Sequence, residues 1–132
     1  MKSFYGLGKL DELNLRENQI AKLEERLFYD LVNLKCLDVS ENKIAKLKAK
    51  TFENLLNLEK LNVSANLLDS IEPGVFAELT NLKELTIYNN AISKIEADSF
   101  RGLQNLEELD MRFNVRDFLH YFVIFFKKLL LS

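Results

Sequence analysis

Apolar residues recur along this chain at a fixed step of 24 residues. Leu13, Leu37, Leu61, Leu85 and Leu109 fall under one another, and Leu15, Val39, Val63, Ile87 and Met111 do the same two places on. Further columns follow: Ile20, Ile44, Leu68 and Ile92; Leu23, Leu47, Ile71 and Ile95; Phe28, Phe52, Phe76 and Phe100, extended backwards by Phe4; and Leu31, Leu55, Leu79 and Leu103. A polar column, Asn18, Asn42, Asn66, Asn90 and Asn114, keeps the same step. So many columns without a gap exclude chance.

Each column has a physical reading. In "LKCLDVSEN", Leu37 and Val39 alternate with Cys36, Asp38 and Ser40. A period of two is a strand with one face buried. Each repeat therefore contributes one short strand. The strands stack side by side as a parallel sheet, because each is reached by the same kind of crossover. The return segments carry apolar residues at uneven spacing, as in Ile44, Leu47 and Phe52. That suits irregular or 3₁₀-like backbone better than a long helix. No repeat buries its own apolar edge, so each is stabilised by its neighbours. The asparagines sit where the chain leaves the strand and turns. A carboxamide both donates and accepts, so it can bond backbone groups left unpaired at the bend.

The pattern LxxLxLxxNxL, here "LKCLDVSENKI" and "LKELTIYNNAI", followed by a Phe and "NL", resembles the leucine-rich repeat. The repeat length and the Phe column resemble its "typical" subclass, which occurs in extracellular domains of Toll-like receptors, Slit proteins and small proteoglycans. The resemblance covers roughly Phe4 to Asn114. It implies an α/β solenoid: a horseshoe with a concave parallel β-sheet and a largely irregular or 3₁₀ convex side. The repeat array then occupies residues 1–114, with a half repeat at 1–9 and units starting near 10, 34, 58, 82 and 106. The resemblance further implies that the concave face binds other macromolecules.

Both ends depart from the pattern. Phe4, Leu7 and Leu10 match the second half of a unit, and no cysteine-rich cap of the extracellular kind precedes them. After Asn114 the Ile column meets Arg116 and the later Leu column meets Lys127, although Leu119, Ile124 and Leu130 stay in register. Between them "HYFVIFF" is apolar on every side. Residues 115–132 thus form a divergent apolar tail with three competing readings: a cap over the last repeat, a sticky surface for a partner, or sequence unrelated to the fold from a truncated or mispredicted chain. The third is preferred. Exposed, such a run favours aggregation.

Composition narrows the function. The chain has 132 residues, enough for one domain, with 48% hydrophobic and 29% charged residues. A net charge of -2 and a pI near 5.5 argue against a nucleic-acid footprint. The one cysteine, Cys36, excludes an intrachain disulfide and metal sites built on cysteine pairs. No apolar run of signal-peptide kind opens the chain. The longest apolar stretch, "FLHYFVIFFKKLLL", is too short to span a membrane and is interrupted by Lys127 and Lys128. His120 is the one histidine and lies in the tail, and "GLG" at Gly6 to Gly8 lacks the rest of a phosphate loop. Neither catalysis nor a cofactor is expected.

The side chains between the leucines point out of the sheet. The first outward column is Glu12, Cys36, Lys60, Glu84 and Glu108; the second is Asn14, Asp38, Asn62, Thr86 and Asp110; the third is Arg16, Ser40, Ser64, Tyr88 and Arg112. These vary in charge and size where the buried columns do not. Tyr and Arg are enriched in binding hot spots. Tyr88 and Arg112 are therefore the first candidates for partner contact, with Asp110 between them and Glu84 beside them. Thr86, Asp38, Asn62 and Arg16 complete the set. Cys36 reads either as a partly exposed thiol or, in a secreted chain, as one half of an intermolecular disulfide. "NVS" at Asn62 is a glycosylation sequon best read as coincidence. The expected function is protein recognition by the concave face, as part of an extracellular or cell-surface receptor or adhesion protein. Two alternatives stay open: an intracellular, cytoplasmic scaffold or enzyme regulator, favoured by the single thiol and absent cap cysteines, and a fragment without independent function. A protein partner is expected, with no nucleic acid and no membrane contact from this segment; the oligomeric state is open.

Overall fold

A computed structural model describes residues 3–115 and contains seven short strands, five of them from the leucine alternation. They are β1 (Glu12–Asn14), β2 (Cys36–Asp38), β3 (Lys60–Asn62), β4 (Ser70–Ile71), β5 (Glu84–Thr86), β6 (Lys94–Ile95) and β7 (Glu108–Asp110). Five of them form a parallel sheet in the order β1-β2-β3-β5-β7. The register follows the sequence period, pairing Leu13 with Leu37, Leu37 with Leu61, Leu61 with Leu85 and Leu85 with Leu109. Hydrogen bonding continues past the strand ends. Val39 N–H donates to Asn62 O at 2.9 Å, and Val63 N–H donates to Thr86 O at 2.8 Å. The result is a β-solenoid of about 4 turns with almost no helix.

The return segments are turns, with one 3₁₀ turn, η1, over Ala97–Phe100. They also hold a second sheet, which the sequence pattern does not announce: β4 pairs with β6 in parallel, setting Ile71 against Ile95. Two residues per strand are too few to show an alternation. The leucine, valine and isoleucine columns of the middle repeats are buried to within a few per cent. Phe4, Phe28, Phe52, Phe76 and Phe100 form one continuous spine, with ring centroids 5.8, 6.3, 6.3 and 6.2 Å apart. Leu13 on β1 and Leu15 just after it are half-buried, because β1 has a strand on one side alone.

Turning off each strand requires a left-handed residue. Glu17, Glu41, Ala65, Asn89 and Phe113 have φ of 55°, 53°, 52°, 54° and 58°. Each stands immediately before an asparagine of the ladder. That kink aims the asparagine inwards. Asn66 Nδ2 lies 3.1 Å from the carbonyls of Val39, Val63 and Ser64, and its Oδ1 accepts the Ile44 N–H at 3.0 Å. Asn42, Asn90 and Asn114 repeat the arrangement toward Ile20, Leu68 and Ile92. The carbonyls of Leu15, Val39, Val63 and Ile87 each accept from two successive asparagines, so the ladder is continuous from Asn18 to Asn114.

A second asparagine row lies at the other end of the strands. Asn33, Asn57, Asn81 and Asn105 donate Nδ2 to the carbonyls of Gly8, Val32, Leu56 and Thr80, each at 2.7 Å. Its sequence signal is the "NL" dipeptide that closes each repeat. On the convex side Gly102 has φ of 98°, and a Cβ there would meet Ala77 O at 2.4 Å, so this turn requires glycine. The readings placed on residues 116–132, including His120 and the "HYFVIFF" run, lie outside the described residues.

Candidate functional site

The three outward columns differ in how far they rise from the sheet. Glu12, Lys60 and Glu108 of the first column are exposed, while Cys36 and Glu84 are half-buried. In the second, Asp38, Asn62, Thr86 and Asp110 are all half-buried. The third corrects the sequence expectation. Arg16 and Arg112 are exposed and Tyr88 is half-buried, but Ser40 and Ser64 are buried at 4% and 0% exposure. A hydroxymethyl group is too short to clear its neighbours on the sheet.

The short polar second column also has an internal task. Asn14, Asp38, Asn62 and Asp110 accept, through Oδ1, the backbone N–H two residues on, at 2.9, 2.9, 3.0 and 3.1 Å. This fixes the chain as it enters the bend. Ser40 Oγ donates to the same Asp38 oxygen at 2.6 Å. Ser64 Oγ has no partner, and a buried unpaired hydroxyl is costly. Ser64→Ala is therefore expected to stabilise the fold by about 1 kcal/mol, and Ser40→Ala is not. Urea melts of the two variants compare them directly; a destabilised Ser64→Ala would show that the hydroxyl is satisfied.

The cations of this face are already held. Lys60 Nζ lies 3.2 Å from Glu84, whose hydrogen bond raises the lysine pKa. Arg112 grips Asp110 with Nε at 2.9 Å and Nη2 at 2.7 Å. That hydrogen bonding lowers the Asp110 pKa against the opposing effect of burial. Arg16 turns off the strand toward Glu41, with Nε 3.0 Å from Oε1, and toward Glu17 at 3.4 Å. The Cys36 thiol is pushed up, by burial first and then by the Glu12 charge, which disfavours the reactive thiolate.

A hollow of about 300 Å³ opens over β1, β2, β3 and β5. Leu13, Leu37 and Leu61 contribute to its lining along with Glu12, Asn14, Cys36, Asp38, Lys60, Asn62, Glu84 and Thr86. Of the residues singled out from sequence, Asp38, Asn62, Glu84 and Thr86 converge here. Tyr88, Asp110, Arg112 and Arg16 do not line it. The sequon at Asn62 sits in β3, with its serine fully buried and its asparagine in the hollow. Glu12 and Asn14 line the hollow too. They stand beside Cys36 and Asp38, as their outward columns imply, although neither is among the residues singled out for partner contact.

The leucine-rich-repeat profile matches residues 1–44, 32–90 and 56–115. The chain belongs to the leucine-rich-repeat family. None of the curated proteins matches it. Among solved structures this leucine-rich-repeat chain resembles two chains from structures of the Toll–Spatzle complex, described as a molecular hub in Drosophila development and innate immunity. One aligns with a TM-score of 0.78 at 21% identity over 85% of this chain. The other, from the glycosylated form, gives a TM-score of 0.76 at 30% identity over 79% of this chain. The alignments span 15% and 14% of those chains. The leucine-rich-repeat assignment accounts for the buried columns and the asparagine ladder alike.

Proposed function

We propose that this chain is a protein-binding recognition module, working through its concave sheet face rather than by catalysis, within an extracellular receptor- or adhesion-type protein. One observation carries the reading. Five strands present outward side chains at a fixed spacing, and those side chains differ in charge and size while the columns beneath them repeat. A rigid frame with a variable outer layer suits selection of one partner among many. The aligned chains come from structures of the Toll–Spatzle complex, which supports the extracellular setting.

In this reading Tyr88 and Arg112 anchor the partner at the β5–β7 end, with Asp110 holding Arg112 in place. Glu84, Thr86, Asp38 and Asn62 form the middle of the contact, and Arg16 marks its far margin. Tyr88→Ala and Arg112→Ala are expected to lose partners that the unmodified chain retains in affinity capture from extracellular fluid, by about 1–2 kcal/mol each. Lys48→Ala and Lys50→Ala, exposed on the return side, serve as controls. A larger loss from these lysines would place the contact on the convex side and refute the reading.

A further inference from the structure

We propose that Asn62 carries an N-linked glycan, which rises from the hollow on the concave face. This deepens the concave-face reading and rests on its extracellular setting. "NVS" over residues 62–64 is the one Asn-x-Ser/Thr sequon in the chain. Read in sequence it passes for coincidence, but the fold leaves both of its polar side chains open to this use. The Asn62 amide nitrogen is uncommitted. Asn66 spends Nδ2 on three carbonyls, whereas Asn62 uses its Oδ1, accepting the Ser64 N–H at 3.0 Å. Among the described residues, Asn62 Nδ2 has no hydrogen-bond partner. Asp38 and Asp110 make the same turn bond without any amide nitrogen, so a substituent on Nδ2 leaves the turn intact.

The Ser64 hydroxyl is the second open group. Ser40, in the same place one repeat earlier, donates to Asp38, but Ser64 Oγ is buried without a partner. The fold makes no use of this hydroxyl, while glycan transfer requires one two residues after the asparagine. Space is the third point. Asn62 lies in register between Asp38 and Thr86, both short, and lines the hollow with them. Lys60 and Glu84 add donors and acceptors to that lining, which suits the hydroxyls of a sugar. Because Ser64 is fully buried in the fold, transfer takes place on the extended chain before folding. Asn62 Nδ2 attacks the anomeric carbon of a lipid-linked diphospho-oligosaccharide. The N–C bond forms, the bond from that carbon to the diphosphate oxygen breaks, the lipid diphosphate leaves with the electron pair, and Nδ2 gives up one proton. The glycan then covers the middle of the face and leaves Tyr88 and Arg112 to the protein partner.

The test carries the full chain into the secretory pathway of cultured insect cells behind a cleavable signal sequence. Protein from the medium and from the cell membranes is mapped by peptide mass spectrometry, with and without peptide-N-glycosidase. Most copies are expected to carry a glycan whose enzymatic release leaves aspartate at residue 62. Asn62→Asp and Ser64→Ala are each expected to lose it entirely. Both variants keep the turn: aspartate accepts the equivalent N–H at positions 38 and 110, and Ser64→Ala removes an unpaired hydroxyl. An unmodified Asn62 in the unsubstituted chain, or a glycan retained by Ser64→Ala, overturns the proposal. If Tyr88→Ala and Arg112→Ala still release a partner in that event, the concave-face reading stands without it. A glycan at Asn62 with unchanged capture by those two variants upholds the proposal and refutes the partner contact placed on them.

Discussion

Asn66→Ala is expected to destabilise the fold by about 3 kcal/mol or more, although the side chain lost is small and polar. Asn66 is 7% exposed and bonds three carbonyls and one amide drawn from two repeats. The carbonyls of Val39 and Val63 keep a second asparagine after truncation, so their loss is partial. The Ile44 N–H keeps nothing. A buried donor without a partner costs about 1–3 kcal/mol, and the vacated space and the weakened ladder add to it. Asn18→Ala is the internal comparison. Asn18 is exposed and bonds the carbonyls of Leu15 and Arg16, so its removal is expected to cost well under 1 kcal/mol, because water replaces the lost bonds. Asn66→Asp should be worse than alanine at neutral pH, since it sets a carboxylate oxygen against carbonyl oxygens. Burial raises the pKa of such a carboxyl, so this variant gains stability as pH falls through that raised value. Urea melts across pH measure all three; equal losses at positions 18 and 66 would remove the ladder from the account of stability.

Phe52→Ala is expected to cost about 3–5 kcal/mol, a large share of the roughly 5–15 kcal/mol that holds a typical domain. The ring is 1% exposed and lies 6.3 Å from both Phe28 and Phe76. Its removal leaves a cavity in the middle of the spine that neither neighbour can fill without leaving its own stack. In a solenoid each unit is stabilised by the units beside it, so the damage is regional. Hydrogen exchange of the variant should show the repeats on the two sides of residue 52 opening with separate protection. Phe4→Ala, at a half-buried ring with one stacked neighbour at 5.8 Å, is expected to cost less than half as much. A single cooperative opening in Phe52→Ala, matching the unmodified chain, would count against the regional picture.

Much of this architecture is legible in the sequence because each buried column answers to one physical demand. Leu37, Leu61 and Leu85 must fill the same space in successive layers, so their type and step are fixed. The asparagines after each strand are equally constrained, because a short carboxamide donates two hydrogens to carbonyls and accepts an amide at one bend. The second asparagine row is less legible. Asn33, Asn57, Asn81 and Asn105 are exposed, and exposed asparagines are common in turns for many reasons. The β4–β6 pair is illegible, since its strands are too short to alternate.

The concave face divides in the same way. That positions 38, 62 and 86 point outward follows from the period of two. That Ser40 and Ser64 are buried does not, because it depends on how tall their neighbours stand. The pairing of Arg112 with Asp110 spans two residues and can be anticipated locally. The turn of Arg16 toward Glu41 spans 25 residues and cannot.

The two rows of asparagines lie at opposite ends of the strands, and each links a repeat to the one before it. This has a mechanical consequence. A load that pulls repeats apart meets bonds on both margins of the sheet, and a load that peels one margin leaves the other fastened. The array therefore behaves as a strip hemmed along both borders, stiff against splaying in its own plane. A ligand gripped across several strands would feel that stiffness as a surface that keeps its curvature under tension.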